Sequence, residues 1–257
     1  MIGPAGFHDS TTCRMNSLHA QNLRKSFNAH VAVDHASLNV QSGEIVGLLG
    51  PNGAGKTTCF YMLAGLLRSN KGKITLNNLD ITRMPMHVRA RHGIGYLPQE
   101  PSIFRGLTVE QNVMTGLEAR CDLKKSQRAP LCDSLLAELR IEKIRNYKGA
   151  QLSGGERRRT EIARALALKP KFILLDEPFT GVDPISVKDI QRILKDLCEK
   201  KIGLLITDHN VRETLSICNR AYILSDGHIL AQGTPTDILG NQRVQDVYLG
   251  KNFSLPE

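Results

Sequence analysis

Nine consecutive residues decide how this chain folds: Gly50-Pro51-Asn52-Gly53-Ala54-Gly55-Lys56-Thr57-Thr58. They match the pattern G-x-x-x-x-G-K-[ST] of a phosphate-binding loop. The apolar run before them, 45–49, predicts a buried parallel strand, and the apolar stripe over 57–67 predicts a helix packed on a sheet. Strand, glycine loop and helix in this order are the context that the pattern requires, which argues against an ordinary glycine-rich turn.

The chemistry of this loop follows from its glycines, which let successive backbone N–H groups point at an anion in front of a helix dipole. Lys56 would reach the β- and γ-phosphates of a nucleotide, and Thr57 would offer its hydroxyl to Mg²⁺. We predict that all nine residues of the loop contact the nucleotide.

A second buried strand, predicted over 172–175, ends in the acidic pair Asp176 and Glu177. Open α/β sheets bind ligands at the carboxyl ends of their strands. We therefore expect Asp176 to hold Mg²⁺ and Glu177 to polarise an attacking water. A solvated acidic pair is the alternative, and the order of the motifs favours the catalytic interpretation.

Two polar residues follow further predicted strands. Gln99 comes after the strand-like stretch 94–96, and His209 ends the apolar run 204–208. An uncharged amide at Gln99 can contact both a metal ion and the attacking water, and the imidazole of His209 can bond a γ-phosphate. Either residue alone is more often structural, but their positions after strands favour catalytic roles.

The stretch Leu152-Ser153-Gly154-Gly155-Glu156 precedes a strongly helical segment, 157–168. Ser153 is the expected N-cap, and glycine N–H groups at a helix start form a second anion site. The alternative is a capped surface helix. The basic run 157–159 after it is interpreted as a solvated face without a catalytic role.

These motifs, in this order, resemble the ATP-binding cassette (ABC) ATPases. The resemblance implies ATP and Mg²⁺ as cofactors, with Thr57, Gln99 and Asp176 around the metal, and a homodimer of cassettes joined head to tail. Ser153, Gly154 and Gly155 of one copy would meet the γ-phosphate held by the other. It also implies that Phe27 stacks on the base, although a tyrosine is frequent there, and that Asp183 lies in the loop crossing between cassettes.

Within that family the likeness narrows to the ATPase subunits of bacterial lipopolysaccharide exporters. It is carried by four segments, 96–109, 152–159, 174–186 and 206–214. The resemblance implies two transmembrane permease subunits, of the LptF and LptG type, above the ATPase pair on the cytoplasmic face of the inner membrane. The tail 247–250 is also similar to ATPases of branched-chain amino acid importers, which are the alternative.

In such exporters a short helix of each permease subunit docks in a groove beside the glutamine loop. The candidate lining here is Phe104, Arg105 and Leu107. We hypothesise that Phe104 is the apolar anchor for that helix. The competing interpretation, that Phe104 caps the core of its own helical lobe, carries equal weight.

The predicted fold class is α/β: a P-loop NTPase (RecA-like) ABC ATPase core with an N-terminal antiparallel β part and an inserted helical lobe. One nucleotide-binding domain is expected over 18–253, with the lobe at about 100–155 and short tails at 1–17 and 254–257. Alternation over 18–40 predicts strands with turns at Asp34 and at Ser42-Gly43. A hairpin is expected at 221–231.

Composition limits the function further. With 34 basic and 25 acidic residues the formal charge is +9, which suits ATP, an anionic membrane surface or nucleic acid. Nucleic-acid-linked ABC proteins generally carry a coiled coil or two cassettes, so no nucleic acid is expected. No apolar run approaches the roughly twenty residues of a membrane span.

The cysteines and the first residues bear on location. The six cysteines show no C-x-x-C spacing, which fits reduced thiols in the cytosol. Residues 1–16 lack an apolar core after a basic start, so we do not expect a secretory signal there. We predict a disordered tail, and Met15 is a candidate start of translation.

Overall fold

The computed structural model describes residues 15–250 and 253. The predicted tails, apart from their inner ends at 15–17, lie outside the described residues. Within the described part the strands are β1 (Ser17–Phe27), β2 (His30–Gln41), β3 (Ile45–Leu49), β4 (Lys71–Leu76), β5 (Leu79–Asp80), β6 (Ile94–Leu97), β7 (Phe172–Asp176), β8 (Gly203–Thr207), β9 (Arg220–Ser225) and β10 (His228–Gly233). The α-helices are α1 (Lys56–Ala64), α2 (Met86–Arg91), α3 (Val109–Glu118), α4 (Lys125–Glu138), α5 (Gly154–Ala167), α6 (Pro184–Glu199), α7 (Val211–Leu215), α8 (Pro235–Gly240) and α9 (Gln242–Val244).

The N-terminal strands form an antiparallel sheet in the order β2-β1-β4-β5. The turn expected at Asp34 is wrong, because the chain reverses at Asn28-Ala29 and Asp34 lies inside β2. Asn28 supplies the left-handed backbone of the turn, with φ 52°. Asp34 stays in the strand because its N–H donates to the carbonyl of Gly227 and its carboxylate pairs with Arg24 on β1. The turn at Ser42-Gly43 is confirmed.

The larger sheet has the order β10-β9-β3-β8-β7-β6, and only its outer β9–β10 hairpin is antiparallel. Every residue of β3, β7 and β8 is buried. Such continuous apolar strands are typical of a parallel sheet covered on both faces. Their carboxyl ends, and that of β6, meet at one edge, which brings together the segments that follow them in sequence.

The helices α3 and α4 lie between β6 and α5, within the predicted lobe, whose limits stay a prediction. Thr108 and Gln111 form a capping box that starts α3. Helix α3 packs closely on α5, since a Cβ at Gly116 would lie 2.7 Å from the carbonyl oxygen of Arg164. Among the described residues, no helix combines the length and apolar character needed to cross a bilayer.

Candidate active site

The loop between β3 and α1 is held against two strands by close backbone contacts. Gly50 (φ 146°) and Gly55 (φ 99°) both take conformations that favour glycine. A Cβ at Gly50 would collide with the carbonyl oxygen of Leu224, and one at Gly55 with that of Ala32. The loop therefore needs glycine at both positions.

Lys56 begins α1 and folds over this loop. Its ammonium donates to the carbonyl oxygens of Gly50 (2.7 Å) and Pro51 (2.9 Å). Burial lowers the pKa of Lys56, and the nearby charge of Glu177 opposes that shift. A cavity of about 350 Å³ opens beside the lysine, lined by Phe27, His30, Ala32, Asn52, Gly53, Ala54, Gly55, Lys56, Thr57, Thr58, Glu177 and Thr207.

Glu177 is the centre of a hydrogen-bonded cluster. Its Oε2 accepts from Gln99 Nε2 at 2.8 Å and from Thr180 Oγ1 at 3.0 Å. His209 Nδ1 lies 3.2 Å from the same oxygen. The structure thus brings Gln99, Glu177 and His209 together, as expected for residues that follow neighbouring strands.

The backbone of Glu177 is unusual. Its φ is 45°, in the left-handed region that a non-glycine residue occupies at a cost of the order of 1–3 kcal/mol. The Glu177 N–H donates to the carbonyl of Thr207 at 2.7 Å, which ties the end of β7 to β8. This bond fixes the carboxylate relative to the sheet edge.

Asp176 is 4% exposed at the end of β7. Burial, and then the charge of Glu177, raise its pKa to about 6. The hydroxyl of Tyr96 donates to Asp176 Oδ2 at 3.4 Å, and burial together with this carboxylate raises the pKa of Tyr96, which remains a donor. The buried carboxylate keeps most of its acceptor capacity.

Three further residues of the cluster were not predicted: Tyr96, Thr180 and Asp208. Asp208 is buried, and its carboxylate accepts from the backbone N–H groups of Phe179 (3.1 Å) and Asn210 (2.8 Å). Burial raises its pKa. It joins the loop after β7 to the loop after β8. The signal in the sequence was adjacency, since Tyr96, Thr180 and Asp208 each lie within three residues of a predicted site residue.

The second glycine motif, residues 153–155, lies at the start of α5. Ser153 caps α5: its Oγ accepts from the Glu156 N–H at 3.3 Å, and Glu156 Oε2 accepts from the Ser153 N–H at 2.9 Å. The Glu156 carboxylate also accepts from the Ser153 hydroxyl at 2.8 Å, and the two bonds that it accepts from Ser153 lower the pKa of Glu156. Ser153, Gly154 and Gly155 do not line the cavity beside Lys56. Among the described residues, Gly154 instead lines a separate cavity with Gln99 and Glu177, and Lys56 is not part of that lining.

Asp183 also acts as a helix cap here. Its Oδ1 accepts from the N–H groups of Ile185 (3.1 Å) and Ser186 (2.9 Å) at the start of α6. Hydrogen bonds from the side chain and the backbone N–H of Ser186 lower the pKa of Asp183. It is also absent from the lining of the Lys56 cavity, so its contact with nucleotide stays a prediction.

The basic run on α5 is not wholly solvated, contrary to expectation. Arg158 is 6% exposed, and its Nη1 donates to the carbonyl of Pro98 (3.2 Å) and to Glu161 Oε2 (3.0 Å). Pro98 immediately precedes Gln99. The buried guanidinium therefore ties α5 to the glutamine loop, in a position that helical spacing alone did not reveal.

An apolar groove of about 570 Å³ runs between the core and the helical lobe. Phe104 lies in its lining, 51% exposed, with the guanidinium carbon of Arg164 5.1 Å from its ring centroid. The groove is lined by Leu66, Met86, Ala90, Ile94, Gly95, Tyr96, Leu97, Pro98, Ser102, Phe104, Thr115, Gly116, Ala119, Glu161, Arg164, Ala165 and Leu168.

Two family models match the chain. The ABC transporter family matches residues 33–180, more than half of the chain. The family described as branched-chain amino acid ATP-binding cassette transporter matches only residues 228–254. The first match spans the phosphate loop, Gln99, the glycine motif of α5 and the acidic pair of β7.

Among curated proteins, the chain is 58% identical to "Lipopolysaccharide export system ATP-binding protein LptB" of Haemophilus influenzae, over 94% of this chain and 100% of that protein. The LptB protein of Escherichia coli K12 gives the same identity and coverage. That of Acidithiobacillus ferridurans is 56% identical over 93% of this chain and 98% of its own length.

Solved structures of ATP-binding cassettes have the same fold as this chain. A nucleotide-free ATP-binding cassette from an ABC transporter superposes with a TM-score of 0.81 at 28% identity, covering 92% of this chain and 100% of that one. A dimeric post-hydrolysis cassette bound to ADP and Pi gives 0.74 at 26% identity, covering 85% and 98%. The predicted cassette fold is thereby confirmed, and the chain belongs to the ABC transporter family as a nucleotide-binding, ATP-hydrolysing subunit similar to LptB.

Proposed function

We propose that this cassette powers the extraction of lipopolysaccharide from the bacterial inner membrane and its export through partner membrane subunits. The observation that carries the proposal is the 58% identity to LptB proteins along their whole length. Identity to the nucleotide-free ABC cassette of the same fold is 28%. Fold alone does not name a cargo, and the proposal therefore rests on the LptB likeness.

In the proposed reaction Lys56 holds the β- and γ-phosphates while Glu177 orients and polarises the attacking water. Gln99 contacts that water, and His209 bonds the γ-phosphate. The bonds of Gln99 (2.8 Å) and His209 (3.2 Å) to one oxygen of Glu177 support these roles. Phe27, in the lining of the same cavity, stacks on the base.

Mg²⁺ fits the oxygen donors of this edge, namely the Thr57 hydroxyl, the Asp176 carboxylate and the Gln99 amide oxygen. Asp176 accepts a long bond, 3.4 Å, from Tyr96, which leaves acceptor capacity for a cation. When bound, the ion would neutralise charge on the phosphates. The carboxylate of Asp176 would supply the negative charge that holds the ion.

Two copies of the cassette, joined head to tail, would complete each nucleotide site. Ser153, Gly154, Gly155 and Asp183 of one copy would then cover the nucleotide held by Lys56 of its twin. Two observations support this pairing: these residues lie outside the Lys56 cavity of their own chain, and cassettes of this fold have been solved as dimers. ATP binding would close the pair and hydrolysis would reopen it.

Permease subunits of the LptF and LptG type would dock in the apolar groove and keep the cassette on the cytoplasmic face of the inner membrane. The exposure of Phe104 supports its role as an anchor, since a residue capping the lobe core would be buried. We expect Phe104→Ala to reduce co-purification of the permease subunits at least tenfold, as for an anchor worth about 2 kcal/mol.

Phe27→Ala is the matched control for that experiment, because Phe27 is also an exposed aromatic (46%) but lines the nucleotide cavity. It should leave co-purification unchanged. Equal recovery of the permease subunits with both variants would remove Phe104 as the anchor.

The cargo is tested by purifying the tagged cassette from its own membranes and identifying the attached subunits by mass spectrometry. Two permease subunits of the LptF and LptG type, and lipopolysaccharide release from proteoliposomes that requires ATP, are the expected result. The branched-chain amino acid importer remains the second candidate because residues 228–254 match that family. Recovery of importer permeases and ATP-dependent uptake of leucine would establish it instead.

A further inference from the structure

Helix α1 joins the nucleotide site to the apolar groove. It begins at Lys56 and spans nine residues, which is about 13 Å. The residue after its C-cap Gly65 is Leu66, which lines the groove, as do Met86 and Ala90 of α2. One short, rigid element therefore has the phosphate loop at one end and the groove wall at the other.

Arg89 of α2 binds the groove-side end of α1. It is 2% exposed, and its Nη1 donates to the carbonyl oxygens of Met62 (2.7 Å) and Leu63 (2.6 Å). The Met62 carbonyl also accepts from the N–H of the C-cap Gly65 at 3.3 Å, and a cation at this end complements the helix dipole.

The remaining N–H groups of Arg89 bind the chain before α2. Nε donates to the carbonyl of Met84 (2.8 Å) and Nη2 to that of Thr82 (3.1 Å). One planar guanidinium thus joins two separate segments through four carbonyl oxygens, a geometry that the single ammonium of lysine does not reproduce.

Within the part of the chain that the structure describes, Arg89 donates its hydrogen bonds to carbonyl oxygens and not to a carboxylate. Burial lowers its pKa to about 10, so the group stays charged at neutral pH. A buried charge bonded to neutral carbonyl oxygens is a costly way to hold two helices together, and a well-packed apolar pair would cost less. The gain from arginine is a fixed spacing between the segments.

Gly65 strengthens this junction. Its carbonyl accepts from the Met86 N–H at 3.2 Å, which is a second bond between the end of α1 and the start of α2. With φ 81°, and with a built Cβ only 2.8 Å from Arg89 Nε, the position fits glycine alone. Helix α2 is therefore held to the end of α1 by its backbone and by a buried side chain.

We propose that Arg89 is a positioning residue that couples the groove wall to the phosphate-loop helix. Contact at the groove and nucleotide binding at Lys56 then influence each other through α1, and such coupling is reciprocal. Arg89 is not part of the lining of the nucleotide cavity. The inference rests on the proposed function only for what occupies the groove, because the junction itself lies within one cassette.

The test uses the isolated full-length cassette, so that it does not depend on the cargo or on any permease. Amide hydrogen exchange is measured with and without Mg²⁺ and a non-hydrolysable ATP analogue, for the parental chain and for Arg89→Lys. Arg91→Lys is the matched control, since Arg91 lies on the same helix and is exposed. Steady-state kinetics of ATP hydrolysis are measured on the same samples.

In the parental chain, nucleotide should slow exchange both in the phosphate loop and in α2. Arg89→Lys should keep the response of the loop and lose that of α2. KM for ATP should rise about fivefold or more, the lower range of typical coupling, with kcat within twofold. Arg91→Lys should match the parental chain in all three readouts.

Two results would overturn the proposal: an α2 whose exchange does not respond to nucleotide in the parental chain, or an α2 response that survives in Arg89→Lys. A merely structural role would lower stability without separating the responses of loop and helix. If Arg89→Lys does not fold, Arg89→Gln serves in its place, because it removes the buried charge and keeps an amide donor. A wrong cargo would leave all these results unchanged.

Discussion

The nucleotide cavity and the apolar groove are built by opposite means. The cavity takes Lys56 and Glu177 from short segments that each follow a buried strand, and Thr207 from the end of β8. Its chemistry is polar. The groove collects side chains from α2, α3, α5 and β6, and its lining is mainly apolar. Each proposed catalytic residue is therefore placed by the strand that precedes it in sequence. A docking surface of this kind instead arises from packing between several helices and a strand.

Both sites nevertheless present an aromatic ring to solvent beside a cation. Lys25 Nζ lies 5.3 Å from the ring centroid of Phe27, and the Arg164 guanidinium carbon 5.1 Å from that of Phe104. The rings differ in their surroundings, which are phosphate-binding loops for Phe27 and apolar side chains for Phe104. If the two regions are functionally separate, substitutions in one should leave the other unchanged.

Glu177→Gln should have the largest effect. Hydrolysis of ATP should fall by about 10²- to 10⁴-fold, the usual contribution of a general base, while ATP binding is kept and dimers accumulate. Phosphate release and light scattering measure the two properties. Glu100→Gln, a nearby exposed carboxylate, is the control. A Glu177→Gln variant with parental turnover would show that another residue serves the water.

Asp176→Asn should raise the stability of the cassette without nucleotide or metal. The pKa of Asp176 is raised from 3.8 to about 6 in the folded chain, so the ionised carboxylate destabilises that state at pH 7.5 by about 3 kcal/mol. The cost fades as the pH falls from 6 to about 4, where the folded state binds the proton. Urea unfolding in the presence of EDTA measures the free energy of unfolding of both chains. The difference between Asp176→Asn and the parental chain should be smaller at pH 4.5 than at pH 7.5.

Asp183→Asn should change the stability of the cassette in the opposite direction from Asp176→Asn. Hydrogen bonds from Ser186 lower the pKa of Asp183, so its ionised form stabilises the fold at neutral pH. The asparagine variant should be slightly less stable at pH 7.5, and the difference should disappear as the pH falls below the usual range of an aspartate. Two aspartates that shift stability in the same direction would contradict the assigned causes.

Phe27→Ala should weaken ATP binding about tenfold, since loss of a stacked base costs about 1–3 kcal/mol. Fluorescent nucleotide titration measures the change. Phe104→Ala should leave that affinity unchanged. A shared loss of nucleotide affinity would show that the cavity and the groove are not separable through their aromatics.

Ser153→Ala should have the smallest effect on the isolated chain, a loss of about 1 kcal/mol of stability through the missing helix cap. Its effect on turnover should appear only under conditions in which cassettes pair. Comparing thermal unfolding with hydrolysis across protein concentrations separates these contributions. Equal turnover of variant and parental chains at every concentration would argue against the composite site.

Much of the core followed from the sequence because its strands are continuous apolar runs. β3, predicted over 45–49, has those bounds. β7 extends one residue beyond the predicted 172–175, and β8 begins and ends one residue before the predicted 204–208. Helix α1 ends at Ala64, three residues before the predicted end, because Gly65 takes a left-handed conformation. Local pattern and buried environment point to the same structure in these elements.

The features that the sequence did not predict depend on tertiary contacts. Aspartate is a residue type that is common in turns, yet a salt bridge to Arg24 holds Asp34 in a strand. Arg158 belongs to a basic run, yet it reaches a carbonyl 60 positions earlier in the chain. Of the three residues predicted to line the groove, Phe104 does so, whereas Arg105 and Leu107 do not. The rest of the lining was not predicted, because it comes from segments that are distant in sequence. Periodicity carries no information about contacts of this range.

The left-handed backbone of Glu177 has a consequence for protein engineering. Selection for thermostability favours substitutions that remove backbone strain. Replacing Glu177 with glycine or asparagine, which adopt a positive φ at lower cost, would remove the strain at the end of β7. A screen that scores only folding would enrich those replacements and discard the carboxylate proposed to drive turnover. Stabilised versions of this cassette should therefore be chosen with hydrolysis measured alongside melting.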